Sequence, residues 1–233
     1  MMKSLNHHLA LAGIAMLSLL SSAHAVPLAN GSFEVPTVTP GTFSNFLSGS
    51  TSISGWTVFG PAVSIVSGSF STGGFSFPAQ DGKQWLDLTG PTSGPIEGVE
   101  QTVTTTPGQT YDLSFYVGNV AGGGFGTTST VGVLINGSLL ATKTNSTPGT
   151  TLNWELFTVP FTAASASTVV AFENLDPIGD QSNGLDNISL APTNAVPEPG
   201  TLVLFGTGLA GIGFLRRRKG HSSGVNALAA LEC

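Results

Sequence analysis

Eleven carboxylic acids lie between Val26 and Ala195, against two bases, Lys83 and Lys143. Two pairs are close along the chain, Asp81 with Asp87 and Glu97 with Glu100. Paired carboxyls cleave glycosides when they face each other across a cleft, about 5–5.5 Å apart in retaining enzymes and about 6.5–9.5 Å in inverting ones. Proximity in sequence does not supply that separation. Asp81-Gly82 reads as a turn, and Glu97 and Glu100 flank Gly98 at a strand entrance. Asn30 and Glu34 near the start of the domain, with Asp186 in its last strand region, suggest different chemistry. If the terminal strands are neighbours, these oxygens could converge on calcium, which takes roughly 6–8 hard oxygen ligands. The same carboxylates could instead cap turns or accept backbone hydrogen bonds. Asp176, Asp180 and Asp186, with Asn183, lack the regular spacing and closing Glu of an EF-hand loop and read as solvated loop residues.

Histidine and cysteine are missing where a site would need them. The histidines are His7, His8, His24 and His221, and the one cysteine is Cys233, all outside residues 26–192. This excludes Ser-His-Asp and Cys-His nucleophiles, His or Cys zinc sites and a structural disulfide from that region. The expectation is a protein that is not an enzyme, with structural calcium as its one candidate cofactor. Of the residues able to stack on a sugar ring, Trp56, Trp85, Trp154 and Tyr111 sit where large aromatics fill a core. Tyr116 points to the opposite side of its strand from Tyr111 and is the ligand-binding candidate. Residues 26–195 carry a net charge of −9 within a chain of −6, a surface that repels phosphate and excludes nucleic acid as a partner.

These residues need strands to position them. From Val26 to Pro192 no long segment has a helical apolar period, while short β-rich runs recur between Gly, Pro, Ser and Asn clusters. Strands are predicted at Trp56–Phe59, Ala62–Val66, Gln84–Leu88, Gly98–Val103, Thr110–Val117, Ser129–Ile135, Ser138–Thr142, Leu152–Phe161, Thr168–Asn174 and Leu185–Leu190. Asn136-Gly137 supplies the two positive-φ residues of a type I′ hairpin. Within Thr110–Val117, Tyr111, Leu113, Phe115 and Val117 share one face, which the pattern assigns to the core. Thr37–Ser54 and Ala121–Ser129 read as loops. The fold class is all-β, a jelly-roll-like β-sandwich over residues 26–192, with a signal helix before it and a hydrophobic helix after it.

The two ends read as targeting segments. Lys3, the apolar run Leu9–Leu20 and Ala23-His24-Ala25 make residues 1–25 a secretory signal peptide cut after Ala25, with the Sec export machinery and signal peptidase as partners. After a linker at 193–196 come Pro197-Glu198-Pro199, the apolar helix 201–215, and Arg216-Arg217-Arg218-Lys219. Fifteen helical residues reach about 22 Å, short for a permanent transmembrane helix, and the arginines hold their end on the cytoplasmic side of the inner membrane, which the chain occupies transiently. Residues 197–219 resemble the PEP-CTERM sorting signal of Gram-negative bacteria, in which such a tail is recognised by an exosortase. The resemblance makes Pro197, Glu198 and Pro199, with Arg216, Arg217 and Arg218, the sorting motif. The chain then continues as a short tail, 220–233, past the point where such signals usually stop.

A second resemblance covers most of residues 26–192. Asn30-Gly31-Ser32-Phe33-Glu34, Gly55-Trp56, Asp81-Gly82, Gln84-Trp85-Leu86-Asp87-Leu88, Val99-Glu100-Gln101, Pro107-Gly108-Gln109-Thr110-Tyr111 and Gly184-Leu185-Asp186-Asn187-Ile188 follow one another as in the choice-of-anchor C type of surface domain. That type is related in pattern to galactose-binding-like jelly rolls, which often hold structural calcium, so the resemblance supports Glu34 and Asp186 as ligands. The implied function is an exported surface or extracellular-matrix protein with a structural or display role in biofilm or exopolysaccharide. The alternative is a carbohydrate-binding module for an envelope or matrix glycan, with extracellular polysaccharide as its partner.

Overall fold

Period-two alternation places one face of each strand on a shared core, and this pattern builds the molecule. The structure is a computed structural model that describes residues 28–94 and 96–193. Its strands are β1 (Phe43–Leu47), β2 (Thr57–Phe59), β3 (Ala62–Ser67), β4 (Ser71–Thr72), β5 (Phe75–Ser76), β6 (Gln84–Asp87), β7 (Gly98–Thr104), β8 (Thr110–Asn119), β9 (Ser129–Ile135), β10 (Ser138–Asn145), β11 (Asn153–Thr162), β12 (Ser167–Asn174) and β13 (Gly184–Pro192). Six of them form one antiparallel sheet in the order β1-β3-β6-β13-β8-β11, and five form a second in the order β10-β9-β12-β7-β2. The sheets pack face to face as the expected jelly-roll-like sandwich. The signal segment 1–25, the sorting signal 197–219 with its helix, the tail 220–233 and all of the linker but Thr193 lie outside the described residues. Among the described residues no helix is long and apolar enough to cross a membrane.

Each of the ten expected strands is present, with ends moved by a few residues. In β8, Tyr111, Leu113, Phe115 and Val117 are buried and alternate with partly exposed neighbours, as their apolar pattern requires. Asn136 (φ 51°) and Gly137 (φ 76°) close the β9–β10 hairpin, with Ile135 opposite Ser138. The expected loop Thr37–Ser54 is corrected in part, because it contains β1, an edge strand paired along its whole length with β3. Its backbone hydrogen bonds make it a strand although only Phe46 packs against the core, so its composition is that of a loop. The small β4–β5 hairpin turns on Gly73 and Gly74, both at positive φ, between strands too short to show a period.

The core between the sheets centres on Phe33, Trp56, Leu113, Phe115 and Phe172. Trp56 is 1% exposed, with ring centroids 5.5 Å from Phe33 and 6.2 Å from Phe172. A second, smaller cluster lies on the other side of the six-stranded sheet and includes Val66, Phe77, Trp85, Val120 and Leu152. Strand β6 contributes to both: Leu86 faces the main core and Trp85 the smaller cluster. A strand buried on both faces must have something covering its outer face, and here the cover is the wall of a cleft.

Candidate active site

The register of β1, β3 and β6 lays two rows of side chains across the outer face of the six-stranded sheet. One row is apolar, Phe43 opposite Val66 and Val66 opposite Trp85. The next is polar, Asn45 opposite Ser64 and Ser64 opposite Asp87. These rows floor a cleft of about 430 Å3. Phe70, Phe77 and Phe125 line it from loops above, joined by Pro91, Ser93, Gln181 and Ser182. The rings form a continuous wall, with centroids 5.6 Å apart for Phe43–Phe70, 5.5 Å for Phe70–Phe77, 5.2 Å for Phe77–Phe125 and 6.2 Å for Phe77–Trp85. Three loops meet at the rim, where the Gly179 amide donates to the Ser93 carbonyl (3.1 Å) and the Gln181 amide to the Gly124 carbonyl (3.2 Å).

Asp87 is the acid of this cleft. It is 7% exposed, and its Oδ1 accepts from the Thr89 amide (3.1 Å), the Thr89 hydroxyl (2.8 Å) and the Asn183 amide (3.1 Å). With all three bonds on Oδ1, Oδ2 is the oxygen left for a molecule in the cleft. Burial pushes the carboxyl up to about 7 against the pull of those donors, and the charge of Asp180 adds to the rise. A carboxyl in that range is half protonated near neutrality and can serve as a general acid.

Glu97 is fully buried behind it, held through Oε1 by the Thr92 hydroxyl and the Gly94 amide, while Oε2 is buried without a partner. Burial raises Glu97 to about 7, and the charge of Asp87 raises it further. Glu97 thus feels the charge of Asp87, one acid from each pair that the sequence offered. Asp81 accepts instead from the Ser32 hydroxyl (2.7 Å), and Glu100 is exposed on β7. Asp176 and Asp180 are not solvated, as the sequence suggested, but 2% and 7% exposed. Asp176 accepts from the Thr130 amide (2.6 Å), yet burial and the charges of Asp180 and Asp87 push it up to about 8. Lys83 and Lys143 are the only bases among the described residues, and neither offsets these shifts.

Glu34 and Asp186 are brought to one loop. Glu34 Oε1 accepts from the amides of Lys83 (2.8 Å) and Gln84 (3.0 Å), and Asp186 Oδ2 from those of Gln80 (2.9 Å) and Asp81 (3.0 Å). Together they clamp residues 80–84 at both ends, and the loop leads into β6 and Asp87. Burial raises Asp186 to about 7, with its three backbone donors opposing. Asn30 is not part of this clamp: its side chain bonds the carbonyls of Val35 (2.7 Å) and Ser54 (3.1 Å) and closes the N-terminal turn. Among the described residues no group of three or more Asp, Glu, His or Cys side chains is placed to hold a metal ion.

Tyr116 is on the outer face of the six-stranded sheet, opposite Tyr111 as expected, but it does not line the cleft. Its register partners are Asp186 and Leu156, toward the other edge of the sheet. Tyr116 thus lies apart from this cleft, whereas Trp85, 1% exposed and part of the smaller cluster as its core reading expects, also contributes to the lining. Trp154 lies over two glycines: a Cβ at Gly118 would fall 2.7 Å from its Cζ3, and one at Gly184 would fall 3.0 Å from its Cη2. Its indole packs edge-on to Trp85 at 5.9 Å and donates to the Pro78 carbonyl (3.0 Å). Gly118→Ala should displace this ring and destabilise the domain by about 1–3 kcal/mol, lowering Tm by roughly 3–10 °C in a thermal melt. An unchanged Tm would show that the glycine trough is not needed.

A family model described as HpiC1 cyclase matches residues 24–191, and one described as a PEP-CTERM protein-sorting motif matches residues 195–219. No curated protein matches the chain. A solved Stig cyclase, Fisc, from Fischerella sp. TAU in complex with (3Z)-3-(1-methyl-2-pyrrolidinylidene)-3H-indole is 20% identical, with a TM-score of 0.54 over 74% of this chain and 98% of that one. A cyclase from Fischerella sp. TAU in complex with 4-(1H-indol-3-yl)butan-2-one is also 20% identical, with a TM-score of 0.52 over 73% and 98%. A xylan-binding domain of carbohydrate-binding family 22 is 17% identical, with a TM-score of 0.43 over 67% and 97%. The match over residues 24–191 corrects the expectation that the chain is not an enzyme, and it is to a cyclase family where the motifs had suggested the choice-of-anchor C type.

Proposed function

The chain belongs to the HpiC1-like family, and from that premise we propose that it is an exported cyclase, closing a ring on a flat, apolar, indole-type substrate with Asp87 as the general acid. The observation that carries this reading is one buried carboxyl, raised to about 7, set in a cleft walled by Phe43, Phe70, Phe77, Trp85 and Phe125. The indole class is carried over from the compounds bound in the two Fischerella cyclases. Protonated Asp87 gives its proton from Oδ2 to one carbon of a substrate alkene, whose π electrons form the new C–H bond and leave a cation on the other carbon. The ring faces of the cleft stabilise that cation. Electrons of the substrate's aromatic ring then form the C–C bond, and the ring proton lost afterwards returns to the Asp87 carboxylate. The reaction is an isomerisation that needs no oxidant.

The sorting motif makes this an exported protein of the Gram-negative cell envelope, with an exosortase as its processing partner. We place the Sec machinery and signal peptidase before that step, and the activity at the envelope surface or in the surrounding matrix. Trp56 does not serve glycan stacking, because it is 1% exposed within the main core. Incubation of the protein with an indole bearing an alkenyl arm at C3 should yield a product of identical mass that has lost the alkene signal, and one that gains a single deuterium in D2O. Recovery of the unchanged alkene from a protein shown to bind it would overturn the cyclase reading.

A further inference from the structure

The polar row of the cleft floor does not end at Asp87. Across β3 and β1 it continues through Ser64 to Asn45, both of which line the cleft. Ser64 is 3% exposed and spends its one proton on Asn45, its Oγ donating to Oδ1 at 2.7 Å. Asn45 itself is exposed on the edge strand, with its Oδ1 turned toward Ser64. The oxygen is occupied, and the Nδ2 group presents two N–H donors. Beside it stands Phe43, two residues back along β1 and half exposed, edge-on to Phe70 at 5.6 Å. A donor group is thus held in place next to an aromatic wall. Neighbouring strands stand about 4.7–4.9 Å apart, so Asn45 and Asp87, two strands apart on one row, are separated by roughly 9–10 Å.

We propose that Asn45, oriented by Ser64, forms a second polar subsite at the β1 end of the cleft that holds a hydrogen-bond acceptor of the substrate. A carbonyl, an ether oxygen or a nitrogen lone pair would serve. This deepens the cyclase reading and rests on its placement of the substrate. A protonated Asp87 and the Asn45 amide are both donors, so the row selects a molecule with acceptors or protonatable atoms at both ends of an apolar body. A plain hydrocarbon arm would leave the Asn45 N–H groups without a partner when it displaces water from them. Asn45 acts on binding and orientation, not on the proton transfer.

The test compares two probes of one skeleton, 4-(1H-indol-3-yl)butan-2-one and 3-butylindole, by titration calorimetry at pH 6 on the full chain. The wild-type protein is expected to bind the ketone about 5-fold more tightly, the worth of one net hydrogen bond. Asn45→Ala should abolish that preference while changing the affinity for 3-butylindole less than about twofold, and Ser64→Ala should reduce it. Asp87→Asn should keep it. A ketone preference that survives in Asn45→Ala, or one that disappears only in Asp87→Asn, would overturn the subsite and leave the cyclase reading standing. Equal loss of both probes in Asn45→Ala would show a structural role and overturn it as well. Failure of the wild-type protein to bind either probe would overturn the indole cleft itself.

Discussion

Asp87→Asn should lower the rate of ring closure by about 10²- to 10⁴-fold while leaving the protein folded. The amide oxygen can accept the same three hydrogen bonds that Oδ1 takes from Thr89 and Asn183, so the turn after β6 keeps its shape. What the variant lacks is the proton. Asp87→Ala would be a poorer test, because it would strand three buried donors and mix a folding defect with the chemical one. In the wild-type protein the rate should be flat at acidic pH and fall as pH rises through about 7, where the acid loses its proton. The charge of Asp180 contributes to the rise of Asp87, so that limb also senses the ionisation of Asp180. Turnover in Asp87→Asn within tenfold of wild type, with the same pH limb, would remove Asp87 from the proton transfer.

Stability should fall as pH rises from 5 to 9, by an amount large enough to read in a simple melt. Asp87 and Glu97 are raised to about 7 and Asp176 to about 8, with Asp186 at about 7 acting in the same direction, whereas in the unfolded chain carboxyls of these types titrate near 4. Between those limits the native state keeps protons that the unfolded chain has released, so each increase in pH favours unfolding. The native state is least penalised below about 4, loses stability through the window from about 4 to 8, and levels off above it. These groups do not add independently. A combined loss of about 3–5 kcal/mol is a conservative reading, equivalent to a Tm lower by roughly 8–15 °C at pH 9 than at pH 5 in chelating buffer. Asp176→Asn should recover several degrees of this at pH 9, because it removes the highest of them. A Tm that stays level or climbs over the same range would mean that these carboxyls are solvated or compensated.

The second prediction depends in part on acids that sequence reading placed in solvent. Asp176 and Asp180 sit among Gly, Pro, Ser and Asn, a composition that marks an exposed loop. They are buried because the loop folds back, with the Gly179 amide on the Ser93 carbonyl and the Gln181 amide on the Gly124 carbonyl. Neither contact leaves a trace in the local composition. One signal was available in Gln84-Trp85-Leu86-Asp87-Leu88. Leu86 and Leu88 claim one face of the strand for the core, so Trp85 and Asp87 must share the other, and a tryptophan there implies a covered face. Gly118 and Gly184, inside or opening strands, likewise signal close approach of a large group, although not which one.

The sequence by itself determined ten of the strands, the core face of β8, the Asn136-Gly137 hairpin and the sorting motif. All of these depend on residues close together in the chain: alternation is set by neighbours, a turn by two dihedral pairs, and a targeting signal by a linear order. Only the tertiary structure decided the site. Glu97 comes to feel the charge of Asp87, Trp154 finds its place over Gly118 and Gly184, and Phe43, Phe70, Phe77, Trp85 and Phe125 become one wall. The second follows from the order β1-β3-β6-β13-β8-β11, which sets β13, β8 and β11 side by side, and the others follow from segments that fold across the sheets. Such pairings are selected by the packing of the whole sheet, and no local pattern can encode which distant strand a given residue will face.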